Sequence, residues 1–238
     1  MIKPEDLIKT VSKMFFPQRC VCCGKIIKDD LLCDDCTNLE RITVKVCSKC
    51  GLATIACDCK KNAFHFDGMV GVFYNTGKAQ KIVYRFKNLA DTDTADFLAQ
   101  NIAERIKDRL PELKFDGVCA IPLRNKKKLK RGYNQSDLIA KIVAKLLGAD
   151  YYKSGLSKIK NGAVQHNLKY EDRFLNVRGM YKANMRFDGK KILLIDDIRT
   201  SGATFDECAR VLKRAGASCV IAASALITQN YIEKAYKN

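Results

Sequence analysis

The chain has 238 residues, 47% of them apolar and 29% charged, which is enough to bury a core and excludes a disordered or collagen-like class. It is long for one average domain and short for two full-sized ones, so one core domain with a small appendage is expected. The longest apolar runs, 192–195 and 220–226, fall far short of the roughly 20 residues a membrane span needs. The first 16 residues carry acids early, lack a central hydrophobic block and show no small-residue cleavage site, so no transmembrane helix or signal peptide is expected and the expected compartment is the cytoplasm.

Lys and Arg number 43 against 26 Asp and Glu, a formal charge of +17. Residues 1–66 hold only +3 of it, leaving +14 on residues 67–238. A field of that sign attracts phosphates, nucleic acid or an acidic partner without choosing among them.

Nine of the twelve cysteines lie between Cys20 and Cys59. Cys20 and Cys23 form one C-x-x-C pair, Cys33 and Cys36 a second, and Cys47 and Cys50 a third, before Cys57 and Cys59 close the series one residue apart. A C-x-x-C turn points two thiolates into one concavity, and two turns complete a tetrahedral shell for zinc. Two four-cysteine sites for one or two zinc ions are therefore expected, the second carrying the irregular pair. Pairing in sequence and pairing in a cross-brace use the same residues. Four thiolates leave no open position for water or substrate, so the metal is read as structural. A disulfide framework is the rival, and the missing secretory signal argues against it. Cys22 is left over, and Cys119, Cys208 and Cys219 read as small buried hydrophobes.

Downstream, strands and helices alternate. Residues 67–75 predict a strand, 77–89 a helix, and 91–110 a clearer helix with Ala95, Leu98, Ala99, Ile102 and Ile106 on one face and Pro111 as its stop. FDGVCAIP predicts a short buried strand, followed by a polar loop and a helix from Asn134 that Gly148 ends. Residues 157–178 are polar and weakly periodic. KKILLIDD is an apolar strand ending in two acids, 203–215 a helix stopped by Gly216, and SCVIAASALI a last strand. This alternation implies right-handed crossovers and an α/β fold with a mostly parallel sheet flanked by helices.

In such sheets a ligand lies beyond the carboxyl ends of the strands. There the chain reads Asp196-Asp197-Ile198-Arg199-Thr200-Ser201-Gly202-Ala203-Thr204. Gly202 lets a backbone approach closely, three hydroxyls flank it, and a helix N-terminus offers amides with a positive dipole end. This suits a monophosphate, and an adjacent acid pair suits the hydroxyls of a sugar phosphate, directly or through a metal. A plain helix cap is the bland alternative for Ser201. No Walker A or dinucleotide fingerprint occurs.

ILLIDDIRTSGAT resembles the phosphoribosyl-pyrophosphate (PRPP) motif of type I phosphoribosyltransferases. The cysteine-rich N-terminus, the string IPLRNKKKLKRGYNQSDLIA, and Gln165, Arg173 and Asn176 resemble more narrowly the ComF family of competence-associated, phosphoribosyltransferase-like proteins. The resemblance implies a zinc-binding domain over 1–62 and a phosphoribosyltransferase-like domain over 63–238. It implies that Asp196 and Asp197 hold the ribose, that Thr200, Ser201, Gly202, Ala203 and Thr204 bind the 5-phosphate, and that Leu123 and Arg124 begin the pyrophosphate loop, with Mg2+ on that group. Arg131, Gly132, Tyr133, Asn134 and Gln135 match a family signature whose role the resemblance leaves open. The chain departs from the family at Lys158, where many relatives place Arg, and at Tyr181, where they place Phe.

The basic run of Arg124, Lys126, Lys127, Lys128, Lys130 and Arg131 either is a solvated loop, neutralises pyrophosphate or follows a nucleic-acid strand, with Tyr133 as a stacking face or a packed aromatic. His65 and His166 receive no role. Three functions follow. The preferred one is a DNA-uptake accessory that keeps the PRPP fold and binds single-stranded DNA. The others are an active Mg-dependent phosphoribosyltransferase with an unidentified acceptor, and a PRPP-sensing module whose zinc lobe docks a helicase-like ATPase, which relatives are expected to use.

Overall fold

The computed structural model describes residues 17–28, 30–60, 63–89, 91–123, 132–160 and 170–229, with the backbone alone at 170–172. Five strands build one sheet: β1 (Gly68–Tyr74), β2 (Gly117–Ala120), β3 (Asp150–Tyr151), β6 (Lys191–Arg199) and β7 (Cys219–Ile227). Their order is β1-β7-β6-β2-β3, and every neighbouring pair is parallel. The helices are α1 (Gly77–Phe86), α2 (Thr92–Arg109), α3 (Gln135–Leu147), α4 (Tyr170–Val177) and α5 (Ala203–Arg214). Short strands β4 (Leu156–Lys158) and β5 (Tyr181–Ala183) pair antiparallel as a separate ribbon.

The apolar runs of β6 and β7 are explained by burial on both faces, as parallel strands require. On β6, Leu193 and Ile195 join one core with Ile82, Leu98, Ile102, Ile139 and Val143 of α1, α2 and α3, while Ile192 and Leu194 join the other with Phe205, Cys208 and Leu212 of α5. Local signals set the helix ends. Asp91 caps α2, accepting from the Asp93 amide at 3.1 Å and the Thr94 hydroxyl at 2.7 Å, and Gly148 ends α3 with φ +65°.

The cysteine-rich segment covers the open edge of β1. The Ile42 amide donates to the Val72 carbonyl at 2.9 Å and the Met69 amide to the Ser48 carbonyl at 3.0 Å. An edge strand presents unpaired backbone groups, and here they are taken up within the chain. Cys20, Cys33 and Cys36 pack into the core on the α1–α3 side, and Cys50 into the core on the α5 side, so the two cysteine groups straddle the sheet.

The expected parallel sheet is present, and the structure adds elements in the stretch read as polar and weakly periodic. Part of β4 and all of α4 fall within 157–178. Two- and three-residue strands carry too few side chains for a period, and the partner of β4 arrives only at residue 181.

Connections leave β2 and β6 toward opposite faces, α3 to one and α5 to the other, and the two strands are neighbours. This is a topological switch point, where the loops separate and open a crevice at the carboxyl ends. Leu194, wholly buried at the centre of β6, supports that crevice. Leu194→Ala is expected to cost about 2–5 kcal/mol, read as a lower midpoint in urea unfolding.

Candidate functional site

β6 outruns β2 at the crevice. Pairing with β2 ends at Ala120↔Ile195, where the Ile121 amide donates to the Ile195 carbonyl at 2.9 Å, whereas pairing with β7 continues to Arg199↔Ile227. Asp196 and Asp197 stand at this step. Asp196 Oδ1 accepts from the Ser136 hydroxyl of α3 at 2.6 Å and from the Asp197 amide at 2.9 Å. Burial first, and the neighbouring Asp197 charge second, push the Asp196 carboxyl up to about 7 against the opposing Ser136 bond. Asp197 Oδ2 is paired with the Lys87 ammonium at 2.9 Å. Neutral pH therefore leaves the pair incompletely charged, and an arriving cation or hydroxyl donor finds acceptors already oriented.

Beyond the acids the chain makes a glycine turn into α5. Gly202 has φ +84°, a left-handed conformation that favours glycine. Ser201 is buried, its hydroxyl accepting from the Ala203 amide at 3.4 Å, while the N-cap position of α5 is Gly202 and carries no side-chain cap. Thr200 is exposed and Thr204 half-buried. Leu123 is half-buried just past β2, on the other wall of the crevice. Arg124, Lys126, Lys127, Lys128, Lys130, Arg131 and Gln165 lie outside the described residues.

The signature that carried no assigned role has a structural one here. Tyr133 donates its hydroxyl to the Phe86 carbonyl at 2.6 Å, Gln135 its amide to the Lys87 carbonyl at 3.4 Å, and Asn134 its amide to the Ile121 carbonyl at 3.1 Å. Gly132 supplies a left-handed turn at φ +78°. Three consecutive side chains thus fasten the exit of β2 and the end of α1, which presents Lys87 to Asp197. Tyr133 is also packed 6.4 Å from the Phe86 ring. Sequence reasoning missed Lys87, since nothing local distinguishes it from the other lysines near α1.

Arg173 and Asn176 lie half-buried on α4, which packs against α5. The two departures, Lys158 and Tyr181, are partners across the β4–β5 ribbon: the ammonium donates to the phenol at 2.9 Å and lies 4.8 Å from the ring centre. His65 is paired with Asp206 through Nδ1 at 3.0 Å.

The cysteines gather in sequence order into two groups, Cys20, Cys23, Cys33, Cys36 and Cys47, Cys50, Cys57, Cys59, the sulfurs of each group within 4.8 Å of one another. The cross-braced alternative is thereby excluded. Separations of 3.6 Å (Cys23 to Cys33) and 3.8 Å (Cys47 to Cys59 and Cys50 to Cys57) are far beyond a disulfide, and they match the roughly 3.8 Å edge of a tetrahedron with sulfurs about 2.3 Å from its centre. The same knuckle occurs twice: the Gly24 amide bonds the Cys20 carbonyl at 2.8 Å and the Gly51 amide the Cys47 carbonyl at 2.9 Å, each glycine at positive φ. Burial raises the Cys20 thiol, but the amides of Cys23, Cys33 and Cys22 outweigh it and bring the group down to about 6, and amides of Cys50 and Lys49 similarly help bring Cys47 to about 7. The donor set and the spacing fit zinc. Cys22 donates instead to the Lys78 carbonyl at 3.7 Å.

The strand order, the switch point and the acid pair before a glycine turn are those of a type I phosphoribosyltransferase fold, and the phosphoribosyl transferase domain family matches residues 136–237. DNA utilization protein YhgH of Salmonella typhimurium is 26% identical over 79% of this chain and 87% of that protein. Competence protein F of Haemophilus influenzae is 25% identical over 85% of this chain and 93% of its own length, and competence protein ComFC of Streptococcus pneumoniae 27% identical over 85% and 96%. With this domain behind two cysteine clusters, the chain is similar over most of its length to the competence-associated ComF proteins. No helix among the described residues is long and apolar enough to cross a membrane.

Two outcomes are expected. Metal analysis of the purified chain yields two zinc ions per molecule, and Cys23→Ser and Cys57→Ser each remove one; unchanged stoichiometry in either variant refutes that assignment. Asp196, raised from 3.8 to about 7, holds an extra proton in the native state between those values, so its contribution is full below the lower one and lost as pH rises through the higher. Stability should therefore fall from pH 5 toward pH 8, and Asp196→Asn should flatten that slope in denaturation measured across the range.

Proposed function

We propose that this chain binds PRPP with Mg2+ in the crevice between β2 and β6 and engages single-stranded DNA, assisting DNA uptake. The observation that carries the reading is the acid pair standing past the end of β2, with a glycine turn and helix N-terminus immediately beyond it. Asp196 and Asp197 accept hydrogen bonds from the ribose hydroxyls. Residues 200–204 take the 5-phosphate on the hydroxyls of Thr200 and Thr204 and the amides at the start of α5, where the helix dipole favours an anion. Leu123 and Arg124 begin the turn for the pyrophosphate, and bound Mg2+ would supply the charge that neutralises it. Lys87 balances Asp197 before the ligand arrives and stands ready beside the same anions.

The relatives are named for competence and DNA utilization, which supports a role in handling incoming DNA. The net charge of +14 on residues 67–238, with six cations in the eight positions 124–131, supports attraction to a phosphate backbone. Lys126, Lys127, Lys128, Lys130 and Arg131 would follow that backbone where it passes the crevice. Turnover is a separate matter from binding, since it requires a nitrogen acceptor to displace pyrophosphate at the anomeric carbon.

Calorimetry with PRPP and Mg2+ is expected to show one ligand per chain, and Asp197→Asn to weaken it about tenfold or more, as loss of a charged hydrogen-bonding partner implies. A single-strand titration at rising salt is expected to show log affinity falling linearly with log salt. Absence of PRPP binding, or an affinity for DNA indifferent to salt, refutes the corresponding half of the reading.

A further inference from the structure

Arg199 closes β6 directly before the glycine turn, yet it is 2% exposed and is the largest wholly buried side chain among the described residues. A guanidinium out of water is costly unless paired. Its Nη2 pairs with Asp58 Oδ2 at 3.2 Å, and its Nη1 donates to the Thr200 carbonyl at 3.1 Å. Its Nε makes no hydrogen bond among the described residues. The main chain of Arg199 is itself pinned, its carbonyl accepting from the Thr228 amide at 2.9 Å.

Both ends of this link matter. Asp58 is the residue between Cys57 and Cys59 in the second cysteine group. At the other end, the guanidinium holds the Thr200 carbonyl inward. In a trans peptide the next N–H points the opposite way, so the bond turns the Ser201 amide away from Arg199. The same guanidinium floors the turn: a Cβ built on Gly202 would stand 3.4 Å from Nε, from Nη2 and from Phe64 Cε1.

We propose that Asp58 and Arg199 form a positioning link through which the second cysteine site, when it holds its metal, sets the shape of the turn at 200–204 for the phosphate of a phosphorylated pentose. The inference rests on the reading of that turn as a phosphate cradle. Asp58 is held in place by the two flanking ligands, Asp58 holds the guanidinium, and the guanidinium holds the Thr200 peptide. Coupling between two sites is reciprocal, so the pentose phosphate in turn retards loss of the metal.

The test uses the full, zinc-loaded chain with ribose 5-phosphate and, separately, Mg-pyrophosphate as calorimetric probes. Asp58→Asn and Arg199→Met are each expected to weaken ribose 5-phosphate about tenfold, the scale of one charge-assisted hydrogen bond, while leaving Mg-pyrophosphate unchanged. The double variant, which removes both charges, is expected to bind no worse than the weaker single and to unfold no more readily than either single. Ribose 5-phosphate should slow zinc release to a chromogenic chelator in the wild type and not in Arg199→Met. Unchanged ribose 5-phosphate affinity in the single variants overturns the proposal, as does equal loss of both probes, which would indicate general damage. Should the wild type fail to bind ribose 5-phosphate, the cradle reading falls. The link is then judged by hydrogen exchange at 200–204, which rises in Asp58→Asn if the link holds and overturns it if unchanged.

Discussion

The rest of the molecule depends on β6 being paired in parallel on both sides. A parallel strand cannot be reached by a hairpin, so each neighbour is joined to the next by a crossover, and helices must cover both faces. Four consecutive apolar residues, Ile192, Leu193, Leu194 and Ile195, satisfy that demand by alternating between the two cores. Because α3 and α5 then leave toward opposite faces, the carboxyl ends of β2 and β6 cannot be closed over by either. The crevice is a consequence of the topology, and the acid pair occupies the one stretch where β6 continues after β2 has stopped.

The cysteine-rich segment shares both cores of the sheet, with its first group against α1 and its second near α5. A metal at either place would replace apolar burial that so short a segment lacks, while the segment's backbone occupies the exposed edge of β1. The glycine turn is correspondingly held from two directions. α5 packs beneath it through Phe205 and Cys208, and Arg199 reaches it from the side of Asp58.

Legibility followed sequence distance. The acid pair, the turn residues and the stop at Gly216 lie within one continuous stretch, where chemistry and backbone requirement are read together. The cysteine spacings likewise announced turns whose sulfurs gather into two groups that could hold a metal. Lys87 against Asp197, Asp58 against Arg199, and His65 against Asp206 are pairs whose members come from different elements, the last two 141 residues apart. No periodicity records such a meeting. The β4–β5 ribbon escaped for the same reason, and with it the match of Lys158 to Tyr181, which taken separately looked like two unrelated departures.

By itself the sequence determined the alternation of strands and helices, the parallel sheet, the motif at the exit of β6 and the two sets of paired cysteines that could hold a metal, because each is a local pattern of burial, spacing or backbone freedom. Tertiary structure alone decided which four thiols come together, that the tyrosine, asparagine and glutamine of the signature fasten α1 and β2, and which cations meet Asp197 and Asp58. Those outcomes depend on where separate elements come to rest against one another, and a buried charge is paid for only by the partner that packing brings within reach.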